Sequence, residues 1–466
     1  MIMARAIFAR ICILSCIIAI HSPILGLSSL GKNDPYPVFS TLDPHTFLYT
    51  HEKLKVIDPD FATRKRDTVG IALSPFGQNA DRGRDINGER TELGNLGGNW
   101  GMIPLLYGPV PPGKTLAPTL QTALSNLFPG VVPGSLNDGT KVDPDQQFGY
   151  FSVPLKYRKR GVRFQLEADI YAGFGLSLKT GLVSMSQTNT GFTNLTECTP
   201  KDCAFDPSPL TGELVNKYLM HELKPIAKEI GLNICNYCET SVEEVRLQLF
   251  WRRGFEINRD EQDWPLFLII PFFQIGGTVS PGDENRLDEI GFDRAFFVPF
   301  GNNDHSGVGF TTGLNIDFVE SIEVGAEVGM TYFFERNFEN VRVPTSCFQT
   351  GIFPYTTDVS VHPGFNWHFG GKISAFHFLD RLSGYFQYIQ MEHKPDDITL
   401  RNCEDADFFL PQQLEKLTGF KAKFIDVALN YDISPNIGLG LFWQAPLSQR
   451  NSYRSSTIMA SFYATF

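Results

Sequence analysis

Ten ionisable side chains recur at alternate positions within otherwise apolar segments. They are Arg163, Glu167 and Asp169, then Arg246 and Arg252, then Asp317, Glu323 and Glu327, then Lys372 and finally Asp426. Rows of opposite charge facing each other across a water-filled constriction orient a passing solute and filter ions. The competing expectation is a packed interior in which the same charges pair and block flow. Cysteines form a second set: Cys198, Cys203, Cys235, Cys238, Cys347 and Cys403. Their spacing, C-x4-C and then C-x2-C, allows a zinc site with His221 nearby. An even count in an exported chain points instead to disulfides, with Cys347 and Cys403 as a plausible bridge between neighbouring loops. Hydrolytic chemistry finds little support. His305 and Ser306 are adjacent, Ser374 and His377 have opposite parity, and no H-E-x-x-H occurs. On strands, neither pair would share a face.

The elements that carry these charges are strands. In Ser306–Phe318, Val308, Phe310, Leu314, Ile316 and Phe318 alternate with Gly307, Gly309, Gly313, Asn315 and Asp317. In Ile322–Glu335, Ile322, Val324, Ala326, Val328 and Met330 alternate with Glu323, Gly325, Glu327 and Gly329. Period two over such lengths exceeds the five or six residues usual in soluble strands. One face is large and apolar, the other small or polar. That pattern suits a closed barrel in lipid, greasy outside and wet inside.

Periodicity predicts twelve strands: 68–76, 147–157, 161–187, 243–257, 264–279, 306–318, 321–335, 364–378, 382–393, 419–432, 436–446 and 453–466. Weaker runs at 99–108 and 290–300 would raise the count to fourteen. In the long third strand, even positions stay apolar from Val162 to Leu182, although Gly173 and Gly175 could instead mark a hairpin. Connections alternate short and long, with Arg158-Lys159-Arg160 and Val319–Ser321 among the short ones, as barrels require. All six cysteines then fall in outer loops. The loop 77–146 is expected to fold inward as a constriction, and a helix is expected over Gly212–Ile230. Aromatic girdles are expected outward at Tyr157, Phe318, Tyr431 and Phe466 on the short-turn side. On the other side they fall at Tyr332, Phe334, Trp367 and Trp443.

The chain of 466 residues carries 40 Phe against 15 Tyr and 5 Trp, and its net charge of −11 argues against nucleic acid as a partner. Residues 1–28 have the pattern of a cleaved signal peptide: Arg5 and Arg10, an apolar core at Ile11–Ile20, and small residues at Gly26 and Ser28. Residues 29–67 are assigned to a periplasmic segment that could plug the lumen, and 68–466 to the barrel.

The last residues place Ile458, Ala460, Phe462, Ala464 and Phe466 at alternate positions, ending the chain in Phe. This resembles the C-terminal strand of bacterial outer-membrane β-barrel proteins. The resemblance implies that these five residues form the signal read by the barrel-assembly machinery, and that the partners are outer-membrane lipid and small solutes. The expected fold is an all-β, transmembrane, antiparallel up-and-down barrel with long outer loops and no cofactor. The expected function is a porin-like channel for passive diffusion of small hydrophilic solutes, with a weak preference for cations. Two alternatives stand beside it. One is a surface structural protein or adhesin with a plugged barrel. The other is a fatty-acid-type transporter of hydrophobic substrates.

Overall fold

The structure, a computed structural model, describes residues 69–136, 148–196, 212–259, 265–280, 292–296, 298–318, 322–379, 381–434 and 436–466. The signal-peptide and N-terminal assignments, Cys198, Cys203 and the turn 319–321 lie outside these residues.

Twelve antiparallel strands close into a ring. In chain order they are β1 (Val69–Ala80), β2 (Leu155–Tyr171), β3 (Phe174–Asn189), β4, β5 (Pro265–Val279), β6 (Gly307–Phe318), β7 (Ile322–Phe333), β8 (Asn366–Leu379), β9 (Leu382–His393), β10 (Phe420–Ser434), β11 (Ile437–Arg450) and β12 (Ser456–Thr465). β4 comes in three lengths, Tyr237–Val242, Val245–Arg252 and Phe255–Arg259. The first pairs with β3, the second with both β3 and β5, and the third with β5. Each strand pairs with the next in sequence, and β12 returns to β1. The segment 99–108 and the described residues of 290–300 are not wall strands.

The wall is apolar outside. On β7, Ile322, Val324, Val328, Met330 and Tyr332 are exposed, whereas Glu323, Glu327 and Thr331 are buried. No unpaired edge remains, which is what lets a sheet sit in hydrocarbon. Among the described residues no helix is long and apolar enough to cross a membrane; the strands do so.

The third predicted strand is in fact a hairpin. Ala172 and Gly173, with φ of 53° and 89°, turn the chain between β2 and β3. The pairing register shifts between Asp169 and Tyr171. That extra residue keeps even-numbered side chains outward on both strands, so the sequence phase runs through the turn unbroken. Arg158-Lys159-Arg160 is accordingly not a turn but the outer part of β2. Tyr157 is corrected with it: its ring faces inward, fully buried against Tyr453. Phe318, Tyr431, Phe466, Tyr332, Phe334 and Trp443 do lie on the exposed outer face.

The outer loops build a cap with ordinary soluble architecture. Helix Pro118–Leu127 starts with proline in its first turn and buries Leu120, Ala123, Leu124 and Leu127, the one-face spacing of a helix. It packs on the helical run Gly212–Val215, Asn216–Met220 and Leu223–Glu229, which buries Val215, Leu219 and Ile226. The Glu229 carboxylate accepts hydrogen bonds from Thr119 N at 2.9 Å and Thr119 Oγ1 at 2.7 Å, a favourable place for an anion at a helix start. A second core joins the sheet Arg336–Arg342, Thr356–His362 and Asp397–Leu400 to helix Pro411–Thr418 through Phe338, Val341, Val359, Val361, Ile398 and Leu414. Of the loop expected to fold inward, Met102, Ile103, Leu105 and Leu106 join the cap core, in the same apolar cluster as the inward-facing Phe76, Tyr385 and Phe442 of the wall.

Candidate functional site: the barrel lumen

Parity on each strand decides which side chains reach the lumen. All ten charged candidates sit on inward positions, since their neighbours on either side in sequence face lipid. Cross-strand register then sets which ones meet. Lys372 lies opposite Gln387, Gln387 opposite Asp426, and Asp426 opposite Gln444, so β8 to β11 carry one polar layer. Lys372 Nζ is 2.6 Å from Glu323 Oε1, which Ser374 Oγ also approaches at 3.4 Å. His368 Nε2 stands 3.8 Å from Glu327 Oε1. Asp317 faces Glu323 across β6 and β7.

The other side of the ring is richer in cations. Glu243 receives Lys159 Nζ at 2.8 Å and Arg163 Nε at 2.9 Å, and Arg246 pairs with Glu244. Lys179 on β3 lies opposite Arg246 on β4. The Arg163 guanidinium stands 4.2 Å from the centre of the Phe76 ring, and Arg252 stacks on Phe250 nearer the inner mouth. Gln165 Nε2 donates to Glu167 Oε1 at 2.7 Å. Asp169 lies beside the 172–173 turn. Lys159, Lys179, Glu243 and Glu244 were missed in the sequence. Lys159 falls in a triplet that periodicity assigns to a turn, and the two glutamates occupy a break in β4 where alternation resets.

Inward glycines make room for large neighbours. At Gly438 a Cβ would lie 2.2 Å from the Tyr463 ring, and at Gly313 it would lie 2.3 Å from Phe272. Each ring therefore lies flat along the wall over the glycine of the adjoining strand. The inner face also has an apolar stretch on β5, Leu268, Ile270 and Phe272.

Exposure differs among the inward charges, although Lys159 is as buried as most acids and Asp169 is half-buried. The side chains of Arg163, Arg246 and Lys372 retain 31%, 20% and 12% of their accessible surface. Glu167, Asp317, Glu323, Glu327 and Asp426 retain 5% or less as residues. These five acids are sunk into the wall, while Arg163, Arg246 and Lys372 keep part of their heads in what water the lumen holds. The lumen meets the cap through one apolar cluster: Phe76, Met459, Phe442 and Tyr385 of the wall belong to it with the cap helices, and Tyr385 lies only three residues past the start of β9 at its inner turn.

The cysteine expectation is corrected for four of the six residues, Cys198 and Cys203 lying outside the described ones. Cys235, Cys238, Cys347 and Cys403 are free thiols, all solvent-exposed, so no Cys347–Cys403 bridge pins the loops. Among the described residues no cluster of three or more His, Cys, Asp or Glu is placed to hold a metal. Ser374 is turned to Glu323 and His377 Nε2 to Asp432 Oδ2 at 2.8 Å, so these two do not form a nucleophile–base pair.

No protein-family model matches the sequence, and no curated protein matches it. Solved structures with a similar plan include an outer membrane channel from Pseudomonas putida, at 8% identity and TM-score 0.43, over 87% of this chain and 97% of that one. The toluene transporter TbuX of Ralstonia pickettii aligns at 11% identity and TM-score 0.29, over 86% and 90%. The translocator domain of the autotransporter NalP from Neisseria meningitidis aligns at 7% identity and TM-score 0.33, over 90% and 95%. These are likenesses only; the closed antiparallel barrel rests on the strand pairing of this chain.

Proposed function

We propose that the protein is a narrow outer-membrane channel for small hydrophilic solutes, with anions favoured over cations. The observation that carries this reading is the polar inner wall from which Arg163, Arg246 and Lys372 keep partly exposed heads while the acids at the same depth are buried. This reading departs from the cation preference expected from the acid surplus: Arg163, Arg246 and Lys372, although paired with Glu243, Glu244 and Glu323, keep more of their surface open than those carboxylates do. A ring of twelve strands lies between eight-stranded barrels filled by side chains and the sixteen-stranded porins with wide aqueous channels, which fits a narrow lumen. The wall supplies hydrogen-bonding groups that replace part of a solute's hydration; no cofactor takes part.

Purified protein in planar bilayers tests this. Small stepwise conductance, with a reversal potential displaced toward the anion in a KCl gradient, is expected. Arg163→Gln with Arg246→Gln should move that potential toward zero. A bilayer in which steps never occur overturns the channel.

One observation favours a second reading, a plugged barrel that displays its cap as a surface scaffold. The cap's apolar core continues into the lumen through Phe76, Phe442 and Tyr385, as far as the inner part of β9. Under that reading the bilayers stay silent and cell-surface binding maps to the cap. For hydrophobic substrates, the Leu268, Ile270 and Phe272 stretch is the relevant surface, and uptake of labelled fatty acid tests it.

A further inference from the structure

The outward face of the barrel is not uniform at its outer rim. On β2, five apolar or small outward positions rise from the inner turn, Ile170, Ala168, Leu166, Phe164 and Val162. Arg160, Arg158 and Lys156 follow on the same face, all exposed. On β10 the count repeats: Ile433, Tyr431, Leu429, Val427 and Ile425, then Lys423 and Lys421. Arg450 on β11 lies opposite Lys421. Eight residue steps along a strand tilted about 40° rise roughly 20 Å, close to the roughly 25 Å apolar band of such barrels. The first cation on each strand therefore stands at the level of the outer-leaflet head groups.

The far side of the ring differs. On β7 the apolar row runs Ile322, Val324, Ala326, Val328, Met330 and Tyr332, and Phe334 follows it. β8 presents Trp367 and Phe369 at its outer end. Six cations thus collect on the half of the rim from β10 to β2, in a chain whose net charge is −11. Glu392 on β9 borders them, tied to Lys394 at 2.7 Å and Lys421 at 3.1 Å. Between the two cationic groups lie the small polar residues Ser456 and Asn79, on β12 and β1. Arg450 Nε is held by the Ile86 carbonyl of the cap.

We propose that this half of the rim is a binding site for a phosphorylated glycolipid of the outer leaflet. The acyl chains lie on the apolar strips below, and the phosphates sit on Arg158 and Arg160 at one end and Lys421 and Lys423 at the other. Opposite charge at head-group depth is the complementarity that selects an anionic lipid over a zwitterionic one. The proposal does not depend on what passes through the lumen.

The test uses the full chain in zwitterionic detergent, with diphosphorylated lipid A, its monophosphorylated form and free pyrophosphate as probes, read by retention in native mass spectrometry. The expected order is diphosphorylated above monophosphorylated lipid, with free pyrophosphate failing to compete. Arg158→Gln with Arg160→Gln, or Lys421→Gln with Lys423→Gln, should each weaken retention tenfold or more. Lys114→Gln with Lys224→Gln, on the exposed cap, should leave it within twofold. Heat-modifiable gel mobility verifies that each variant is folded. Equal retention by the rim variants overturns the site, and competition by pyrophosphate at lipid concentrations overturns its assignment to a lipid.

Discussion

On β7, Val328 is 49% exposed and its neighbour Glu327 only 2%; on the cap helix, Leu124 is 1% exposed and Ser125 beside it faces solvent. Wall and cap come from one chain, yet each buries what the other displays. The difference lies in the medium. Against hydrocarbon, apolar surface gains little from being hidden, and the wall is held by its backbone ladder and by polar pairs within. Against water, the cap must hide its Leu, Ile and Phe. Each such side chain fully buried contributes roughly 2 kcal/mol.

That contrast can be broken at several points. The largest effect is expected at Arg342, which is buried and held by Asp293 at 3.1 Å and by the Phe353 and Ile230 carbonyls. Arg342→Met leaves Asp293 buried without its charge partner and should cost the cap about 4 kcal/mol. Hydrogen exchange should rise throughout the cap while the wall stays protected. If both regions lose protection together, they form one cooperative unit and the contrast fails.

A smaller effect sharpens it. Val328→Arg puts a charge on the lipid face near mid-wall and should destabilise the barrel by about 3 kcal/mol in urea unfolding from vesicles. Thr122→Arg, equally open to its surroundings on the cap helix, should change stability by less than about 0.5 kcal/mol. Equal tolerance at the two positions would show that the exposed face of β7 meets water.

The smallest is a pH effect in the cap. Burial pushes the His305 pKa down to about 4, against the hydrogen bond its Nδ1 makes to Phe334 O; Asp396, Arg336 and His393 are the charged and titratable groups that face it. A depressed pKa means the opened cap takes up the proton first. His305 therefore contributes fully above about pH 6.5, and the contribution is lost as pH falls toward 4. At pH 5.5 the loss is about 1 kcal/mol. Proteinase cleavage of the cap should accelerate across this window, and His305→Asn should flatten the dependence; an unchanged profile would assign it to another group.

The wall was legible because alternation is a one-dimensional signal. Whenever Ile322, Val324 and Val328 face one medium, Glu323 and Glu327 face the other, and the inward charges follow. The 172–173 turn was signalled only by Gly173 and Gly175, because its bulge preserves parity and alternation alone cannot register the change of direction. Glu243 and Glu244 escaped for the converse reason, since consecutive buried acids obey no alternation. The cap was hardly legible beyond the helix over Gly212–Ile230; the helices Pro118–Leu127 and Pro411–Thr418 went unread. The Met102 to Leu106 run has no period, and its burial is decided by distant residues such as Phe296, whose ring stacks on Trp100 at 5.7 Å. The cysteine count suggested bridges, but pairing depends on loop positions that a count does not contain.

The cap has a further consequence for biogenesis. Its contacts join pieces that the chain delivers far apart: Thr119 and Glu229 are separated by 110 residues, and Arg342 and Ile230 by 112. Whole hairpins of the wall come between them. Such distant partners meet only after the intervening strands have docked, so the crown is the last part of the molecule to set. Until then a half-inserted chain trails sticky, unfinished loops, and the speed of ring closure governs how long they stay bare.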